Sequence, residues 1–124
     1  MNPDVSEADF QLAVIDLAHV FDWHVASFRT AMNARGQHMT PVAADGKGWP
    51  DLFLAHRTAG CMALELKSAK GRVSPEQNEW LNVLNAAGIP AHVVRPADWD
   101  RIQELLNPAR SHQPVTALAA GVMG

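Results

Sequence analysis

The feature that most constrains this chain is the apolar run CMALELK, residues 61–67, in which a glutamate and a lysine stand two positions apart. Side chains of a β-strand point alternately to its two faces. Glu65 and Lys67 therefore share a face, about 6 to 7 Å apart along the strand. The residues that alternate with them and fill the other face are Met62, Leu64 and Leu66. The run predicts a strand that is apolar on one face and carries an acid and an amine on the other.

Helix signals flank this strand on both sides. Ser6 is a suitable N-cap, and the apolar residues that follow it at helical spacing predict a helix over residues 7–21. The sequence SPEQ gives a second helix an N-cap at Ser74, a proline at N1 and a capping-box glutamine, Gln77. Gly88 is the predicted C′ residue of that helix. Residues 97–106, ADWDRIQELL, predict a third helix.

Short segments rich in β-branched and aromatic residues predict the strands. They are WHVASF (23–28), DLFLAH (51–56), CMALELK (61–67) and AHVV (91–94). The order of elements is then α-β-β-β-α-β-α, which predicts an α/β fold with helices on both sides of a small, central mixed sheet. The long polar connection over residues 30–48 is predicted to be functional or mobile.

The length of the chain favours one domain. A chain of 124 residues has room for one modest core. We expect this domain to occupy residues 1–106 and to be followed by a mobile tail, residues 107–124, which at most adds a short helix against a partner. No apolar stretch is long enough to span a membrane, and the first ten residues lack the pattern of a signal peptide. We therefore expect a cytoplasmic protein without a membrane partner.

Charge and cysteine content exclude several function classes. Thirteen acidic and ten basic residues give a net charge of −3, which is not typical of a protein that coats nucleic acid non-specifically. The single cysteine, Cys61, excludes an internal disulfide and a zinc knuckle. The segment ADGKGW lacks the first glycine and the Ser or Thr of a P-loop, and the six histidines show no H-x-x-x-H spacing.

The connection between the strands 51–56 and 61–67 decides whether a second carboxylate joins Glu65. If residues 56–60 form this connection, the pairing places Asp51 opposite Glu65, whereas a four-residue connection places Asp51 beside Leu66. Adjacent strands lie about 4.8 Å apart, so the first register brings both carboxylates within reach of one hard cation. Without a metal ion or the Lys67 amine to offset them, the two charges would repel each other.

Four segments occur in a characteristic order: GWPD (48–51), ELK (65–67), GRVSPEQNEW (71–80) and VVRP (93–96), with Glu7 upstream. Together they resemble the VRR-NUC family of PD-(D/E)XK nucleases, especially its small stand-alone phage and bacterial members. The resemblance extends from about Ser6 to Leu106. It implies a restriction-endonuclease-like core and a metal-dependent endodeoxyribonuclease that hydrolyses phosphodiester bonds, in the cytoplasm of a bacterial or phage-infected host cell.

The resemblance also implies a metal site. Asp51 and Glu65 match the family's metal ligands, joined by the backbone carbonyl of Leu66, and Glu7 matches its acidic residue on the first helix. Glu7 would complete the metal shell directly or through water, although a carboxylate in a first helical turn also favours the helix dipole. An oxygen ligand set of this kind suits Mg²⁺ or Mn²⁺.

Two further residues match the catalytic positions of the family. Lys67 would orient or help to deprotonate the attacking water and stabilise charge on the phosphate, which a compact ammonium can approach closely. Gln77 matches the family's glutamine near the catalytic lysine, and it is also the predicted capping-box residue.

The resemblance implies structure-selective cutting of branched DNA, such as Holliday junctions or flaps, by a homodimer. Because the overall charge is modest, DNA binding would depend on a local basic face. Among the four tryptophans, Trp49, beside Pro50 and next to the proposed site, is the best candidate to contact a base, and the alternative is a core residue. The predicted DNA-contacting residues are Lys47, Trp49, Lys70, Arg72 and Arg95.

Two alternatives to a nuclease stay open. The first is a non-catalytic DNA-binding module of the same fold, although the presence of Asp51, Glu65 and Lys67 together argues against it, because a degenerate member is expected to lose at least one. The second is an interaction protein that uses the apolar residues of its tail. An E-x-K triplet alone is common by chance, so the nuclease interpretation depends on the combination of motifs.

Overall fold

The computed structural model describes residues 1–28 and 43–109 with their side chains, and only the backbone of residues 31–32, 38–39 and 110–111. The strands are β1 His24–Ser27, β2 Ala31–Met32, β3 His38–Met39, β4 Leu52–His56, β5 Gly60–Leu66 and β6 Ala91–Val94. The helices are α1 Glu7–Val20, α2 Pro75–Ala86, α3 Trp99–Leu106 and α4 Pro108–Ser111, with a 3₁₀ turn over Pro96–Asp98.

Side-chain caps fix the N-termini of the first two helices. The Ser6 hydroxyl accepts a hydrogen bond from the backbone N–H of Asp9 at 3.1 Å, so α1 begins where predicted. In α2 both bonds of the capping box form: the Ser74 hydroxyl accepts from the Gln77 N–H at 3.1 Å, and Gln77 Oε1 accepts from the Ser74 N–H at 2.9 Å. This box satisfies two of the free donors at the start of the helix and confirms the predicted start of α2.

Four strands form a mixed sheet in the order β1-β4-β5-β6. The β1–β4 and β4–β5 pairs are antiparallel, and β5 and β6 are parallel. Parallel neighbours need a crossover connection, which α2 provides. This arrangement confirms the predicted α/β class and the mixed sheet.

The two faces of the sheet pack against different helices. On one face, α1 and α3 cover β4 and β5 in a core whose buried members include Phe10, Val14, Leu64, Leu66 and Ile102. On the other face, Leu81 and Leu84 of α2 pack against Ala63 and Ala91. The alternation predicted for β5 is therefore confirmed, and Glu65 lies on the face covered by α2.

The register of the β4–β5 hairpin is the predicted one. Ala55 pairs with Cys61, and Phe53 pairs with Ala63. The connection itself is shorter than predicted, because His56 and Gly60 also pair. The His56 ring stabilises the turn: its Nδ1 accepts hydrogen bonds from the backbone N–H groups of residues 58 and 59, at 3.1 and 3.2 Å.

Besides the shorter hairpin connection, two features of the fold differ from the sequence prediction. The stretch 30–48 contains a short antiparallel pair of strands, β2 and β3. Strands of two residues are too short to show an alternating pattern, so the sequence does not predict them. Residues 97–98, predicted as helical, belong to the 3₁₀ turn before α3. The tail contains a short helix over residues 108–111, as the prediction allowed, and residues 112–124 lie outside the described residues. Within the part of the chain that the structure describes, no helix is both long and apolar enough to cross a membrane.

A close backbone approach at Gly48 supports a direct stability test. Gly48 has φ +89°, and a Cβ atom placed there would lie 2.5 Å from the Glu76 carbonyl carbon and 2.7 Å from the Gln77 nitrogen. Gly60 has a similar φ of +92°, but a Cβ there would meet no atom within 4 Å. Gly60→Ala should therefore show only the cost of the left-handed backbone, about 1–2 kcal/mol.

We expect Gly48→Ala to lower the free energy of unfolding by at least about 1 kcal/mol more than Gly60→Ala, because the start of α2 must move to accept the methyl group. Urea unfolding of the two variants and the wild type measures this difference. Equal destabilisation would contradict the close contact between residues 43–50 and α2.

Candidate active site

Glu65 is the one polar residue in the buried set of the described chain, with 2% of its surface exposed. Its Oε2 accepts a hydrogen bond from Gln77 Nε2 at 2.9 Å and lies 3.4 Å from Lys67 Nζ. Its Oε1 is also buried but has no hydrogen-bond partner in the described structure. A buried carboxylate oxygen without a partner is costly, so this atom has acceptor capacity to offer a ligand.

Asp51 is held beside Glu65 by backbone contacts. Leu52 pairs with Leu64, so the same register continued by one residue sets Asp51 opposite Glu65. Asp51 Oδ2 accepts a hydrogen bond from the Leu66 N–H at 2.9 Å, and the Asp51 carbonyl accepts from the Phe28 N–H at 2.7 Å. Both the backbone and the side chain of Asp51 are therefore fixed at the start of β4.

The proximity of these groups changes the acidity of Glu65. Burial, followed by the nearby negative charge of Asp51 and a hydrogen bond with the Asp51 carboxylate, raises the pKa of the Glu65 carboxyl from 4.5 to about 7, while the Lys67 ammonium opposes these effects. The direction follows from a low-dielectric environment that disfavours a second negative charge beside the first. Glu65 thus titrates near neutral pH when no cation is bound.

Gln77 links the site to the fold. Its Oε1 is bound by the Ser74 N–H in the capping box, which leaves the Nε2 group to face Glu65. The predicted capping role is seen in this side chain, which also donates to Glu65, the carboxylate beside Lys67. The capping box therefore also determines which end of the amide meets the carboxylate.

Comparison with known proteins agrees with this geometry. The family model described as VRR-NUC domain matches residues 25–98, which include Asp51, Glu65, Lys67 and Gln77. The chain belongs to the VRR-NUC family. No curated protein and no solved structure gives a significant match. Membership of this nuclease family implies a nuclease-type function in DNA processing, and it is consistent with the restriction-endonuclease-like arrangement of the sheet and helices.

Nucleases of this family usually need a divalent metal ion, and the donor set fits one. Asp51 and Glu65 supply carboxylates, and Glu65 Oε1 is a buried oxygen that accepts no hydrogen bond in the described structure. The N–H and C=O of a strand residue point to the same side, so the Leu66 carbonyl lies on the edge where its N–H meets Asp51. Three oxygens of this kind suit a hard cation that keeps several waters.

The structure does not bring the predicted fourth ligand, Glu7, into this set. Within residues 1–28 and 43–109, no three His, Cys, Asp or Glu side chains form a group that could hold a metal ion. Glu7 lies in the first turn of α1, which packs on the face of the sheet opposite to Glu65, and it is exposed. It also lies outside the segment that matches the family model. A direct bond from Glu7 to the metal is therefore not supported.

Three of the predicted DNA-contacting residues are exposed at the rim. Lys70 and Arg72 lie in the loop between β5 and α2, directly after Lys67. The side chain of Lys47 is 78% exposed, and its Nζ lies 3.8 Å from Glu76 Oε2. An exposed pair of this length contributes little to stability, so Lys47 can exchange this partner for a phosphate.

Trp49 and Arg95 are less exposed than the other three predicted DNA-contacting residues. The Trp49 ring is partly buried among Phe28, Phe53 and Trp80, with centroids 6.0, 5.9 and 4.9 Å away, so its ring belongs to the core rather than to a surface for base stacking. Arg95 Nη1 donates to the carbonyls of Ser68 and Gly71 at 2.7 and 2.8 Å. That donor serves the protein backbone, and the side chain is half-buried, so contact of Arg95 with DNA stays a prediction. The sequence contains no local signal for either long-range contact.

The acidity of Glu65 gives a pH-dependent stability. Because its folded-state pKa of about 7 lies above the ordinary 4.5, folding takes up a proton between these values, and the free energy of unfolding falls as pH rises from about 4.5 to 7. We expect Glu65→Gln, which lacks this titration, to be more stable than the wild type at pH 8 in metal-free buffer, with the difference shrinking as pH falls toward 4.5.

Urea unfolding in EDTA from pH 4.5 to 8.5 measures this effect. The exposed Glu79, changed to Gln, is the matched control and should follow the wild-type pH dependence. If plots of the unfolding free energy against pH are parallel for Glu65→Gln and the wild type, burial does not shift the Glu65 pKa.

Proposed function

We propose that this VRR-NUC protein is a Mg²⁺- or Mn²⁺-dependent endodeoxyribonuclease that hydrolyses phosphodiester bonds. One observation carries the proposal: Glu65 Oε1 is buried without a hydrogen-bond partner in the described structure, while Asp51 and Lys67 flank the same carboxylate. A purely structural ion pair does not require a second acid or an unused buried oxygen.

The metal would be held by Asp51, Glu65 and the Leu66 carbonyl, with Glu7 acting at most through water. When bound, such a cation offsets the two carboxylates and supplies Lewis-acid chemistry, polarising the phosphate and acidifying water. Gln77 contributes by occupying Glu65 Oε2, which would leave Oε1 for the cation. The ligands are preorganised because each is fixed by the sheet or by a helix cap.

Lys67 is the group that acts directly on the phosphate. Its Nζ is held 3.4 Å from Glu65 Oε2, yet 13% of its side chain stays exposed, so the ammonium lies at the mouth of the site. Its backbone N–H donates to the Val94 carbonyl at 3.0 Å, which fixes the point where β5 ends. From there the ammonium donates to a phosphate oxygen as negative charge grows in the transition state, and it orients the attacking water.

The substrate we propose is branched DNA, such as a Holliday junction or a flap, cut by a homodimer with one site for each of two strands. A two-fold symmetric protein matches a junction with related arms. The exposed Lys47, Lys70 and Arg72 support contact with phosphates on the rim of the site. We place this activity in the cytoplasm of a bacterial or phage-infected cell.

The activity is tested by incubating purified protein with linear, flap and four-way DNA in Mg²⁺, Mn²⁺ or EDTA. We expect metal-dependent cleavage, fastest on branched DNA, and a loss on the order of 10²-fold or more in Glu65→Gln and Lys67→Met, because each removes charge stabilisation at the reacting phosphate. The exposed Glu79→Gln is the matched control and should cut like the wild type.

Equal behaviour of the wild type, Glu65→Gln and Lys67→Met on every substrate would refute the nuclease proposal. Tight binding of branched DNA without cleavage in any metal would instead favour the non-catalytic DNA-binding module. Equal cutting of linear and branched DNA would leave the nuclease in place and remove the proposed selectivity.

A further inference from the structure

The Arg95 side chain closes the loop between β5 and α2. Its Nη1 carries two N–H groups and donates to two carbonyls, those of Ser68 at 2.7 Å and Gly71 at 2.8 Å. The Gly71 N–H also donates to the Ser68 carbonyl, at 3.3 Å. Residues 68–71 thus form a turn whose first and last carbonyls meet at one guanidinium nitrogen. Hydrogen bonds from a charged donor are stronger than those between neutral groups.

Arg95 is itself held from the other side. Its backbone N–H donates to Asp98 Oδ2 at 2.8 Å, and the Asp98 N–H donates to the Arg95 carbonyl at 2.8 Å. One residue earlier, the Val94 carbonyl accepts from the Lys67 N–H. The Lys67–Val94 bond is the last backbone hydrogen bond between the ends of β5 and β6. Just beyond it, the Arg95 guanidinium links the loop after β5 to the residue that follows β6.

The turn held by Arg95 has little spare room. A Cβ atom at Gly71 would lie 3.1 Å from Ser68 Oγ and 3.5 Å from Lys67 Cδ. The turn follows directly after Lys67 and carries the exposed Lys70, with Arg72 next along the chain. A shift of this turn would therefore move both the ammonium at the site and the cations at its rim.

We propose that Arg95 is a positioning residue: it orders the turn 68–71 so that Lys67 meets the scissile phosphate, and it is not itself a phosphate ligand. The catalytic part of this inference rests on the proposed nuclease function. We expect lysine to replace arginine poorly here, because its side chain is one atom shorter, so its nitrogen falls short of the Nη1 position, and its ammonium rotates freely whereas the two N–H groups of Nη1 are fixed in the guanidinium plane.

The test compares Arg95→Met and Arg95→Lys with Lys70→Met, which removes a cation from the same turn without touching the guanidinium. Hydrogen exchange reports the order of residues 68–74, steady-state kinetics on cleavable DNA gives kcat and KM, and DNA binding in EDTA gives the dependence of log Kd on log salt concentration. Circular dichroism confirms that each variant is folded.

In both Arg95 variants we expect amide exchange in residues 68–71 to accelerate at least about tenfold. We also expect kcat to fall at least about tenfold with little change in KM, because Lys67 is misplaced. In both Arg95 variants, the slope of log Kd against log salt concentration should stay within about 0.3 of the wild-type slope. For Lys70→Met we expect unchanged exchange and a slope shallower by about 0.9, as for the loss of one phosphate contact.

Three results would overturn the proposal: unchanged exchange in the turn, a salt slope that falls in Arg95→Met as much as in Lys70→Met, or full wild-type kinetics in Arg95→Lys. If the wild type cuts no DNA in any metal, the proposed nuclease function fails and the catalytic part of this inference fails with it. Exchange and salt slope then still decide whether Arg95 orders the turn or binds phosphate.

Discussion

The pairing of β4 with β5 is the constraint on which the rest of the site depends. It sets Asp51 opposite Glu65 and lets Asp51 accept a hydrogen bond from the Leu66 N–H. A slip of one residue would change the face of every side chain on one strand, so that the two carboxylates could no longer meet. The register is protected by the apolar core on the other face, where Leu52, Leu54 and Leu64 are fully buried.

Burial of Glu65 has a cost that the fold offsets only in part. Gln77 and Lys67 satisfy one oxygen, while the other has no partner in the described structure and the pKa of the carboxyl is raised to about 7. A sheet selected only for stability would carry an apolar residue at this position. The cost is consistent with a site that is complete only when a cation is present, and such local conflicts are typical of functional positions.

Sequence patterns predicted most of the fold and the centre of the site. Caps and periodicity located α1, α2 and the four strands of the main sheet, because these signals are local. The hairpin register, also local, brought Asp51 to Glu65 as predicted. The contacts of Trp49 and Arg95 were not predictable, since each depends on residues far along the chain that only the folded structure brings together. The position of Glu7 relative to Glu65 was likewise not predictable, because it depends on how α1 packs against the sheet.

The most direct test of the central claim, that Asp51 and Glu65 form a metal site, is the equilibrium binding of Mn²⁺ in the absence of DNA. Electron paramagnetic resonance of free Mn²⁺ gives the affinity of the wild type, Glu65→Gln and the control Glu79→Gln at pH 8 and pH 6. We expect binding by the wild type and the control that weakens about tenfold at pH 6, because a proton then competes at Glu65. We expect Glu65→Gln to lose this binding. Equal Mn²⁺ affinity of Glu65→Gln and the wild type at pH 8 would contradict the account.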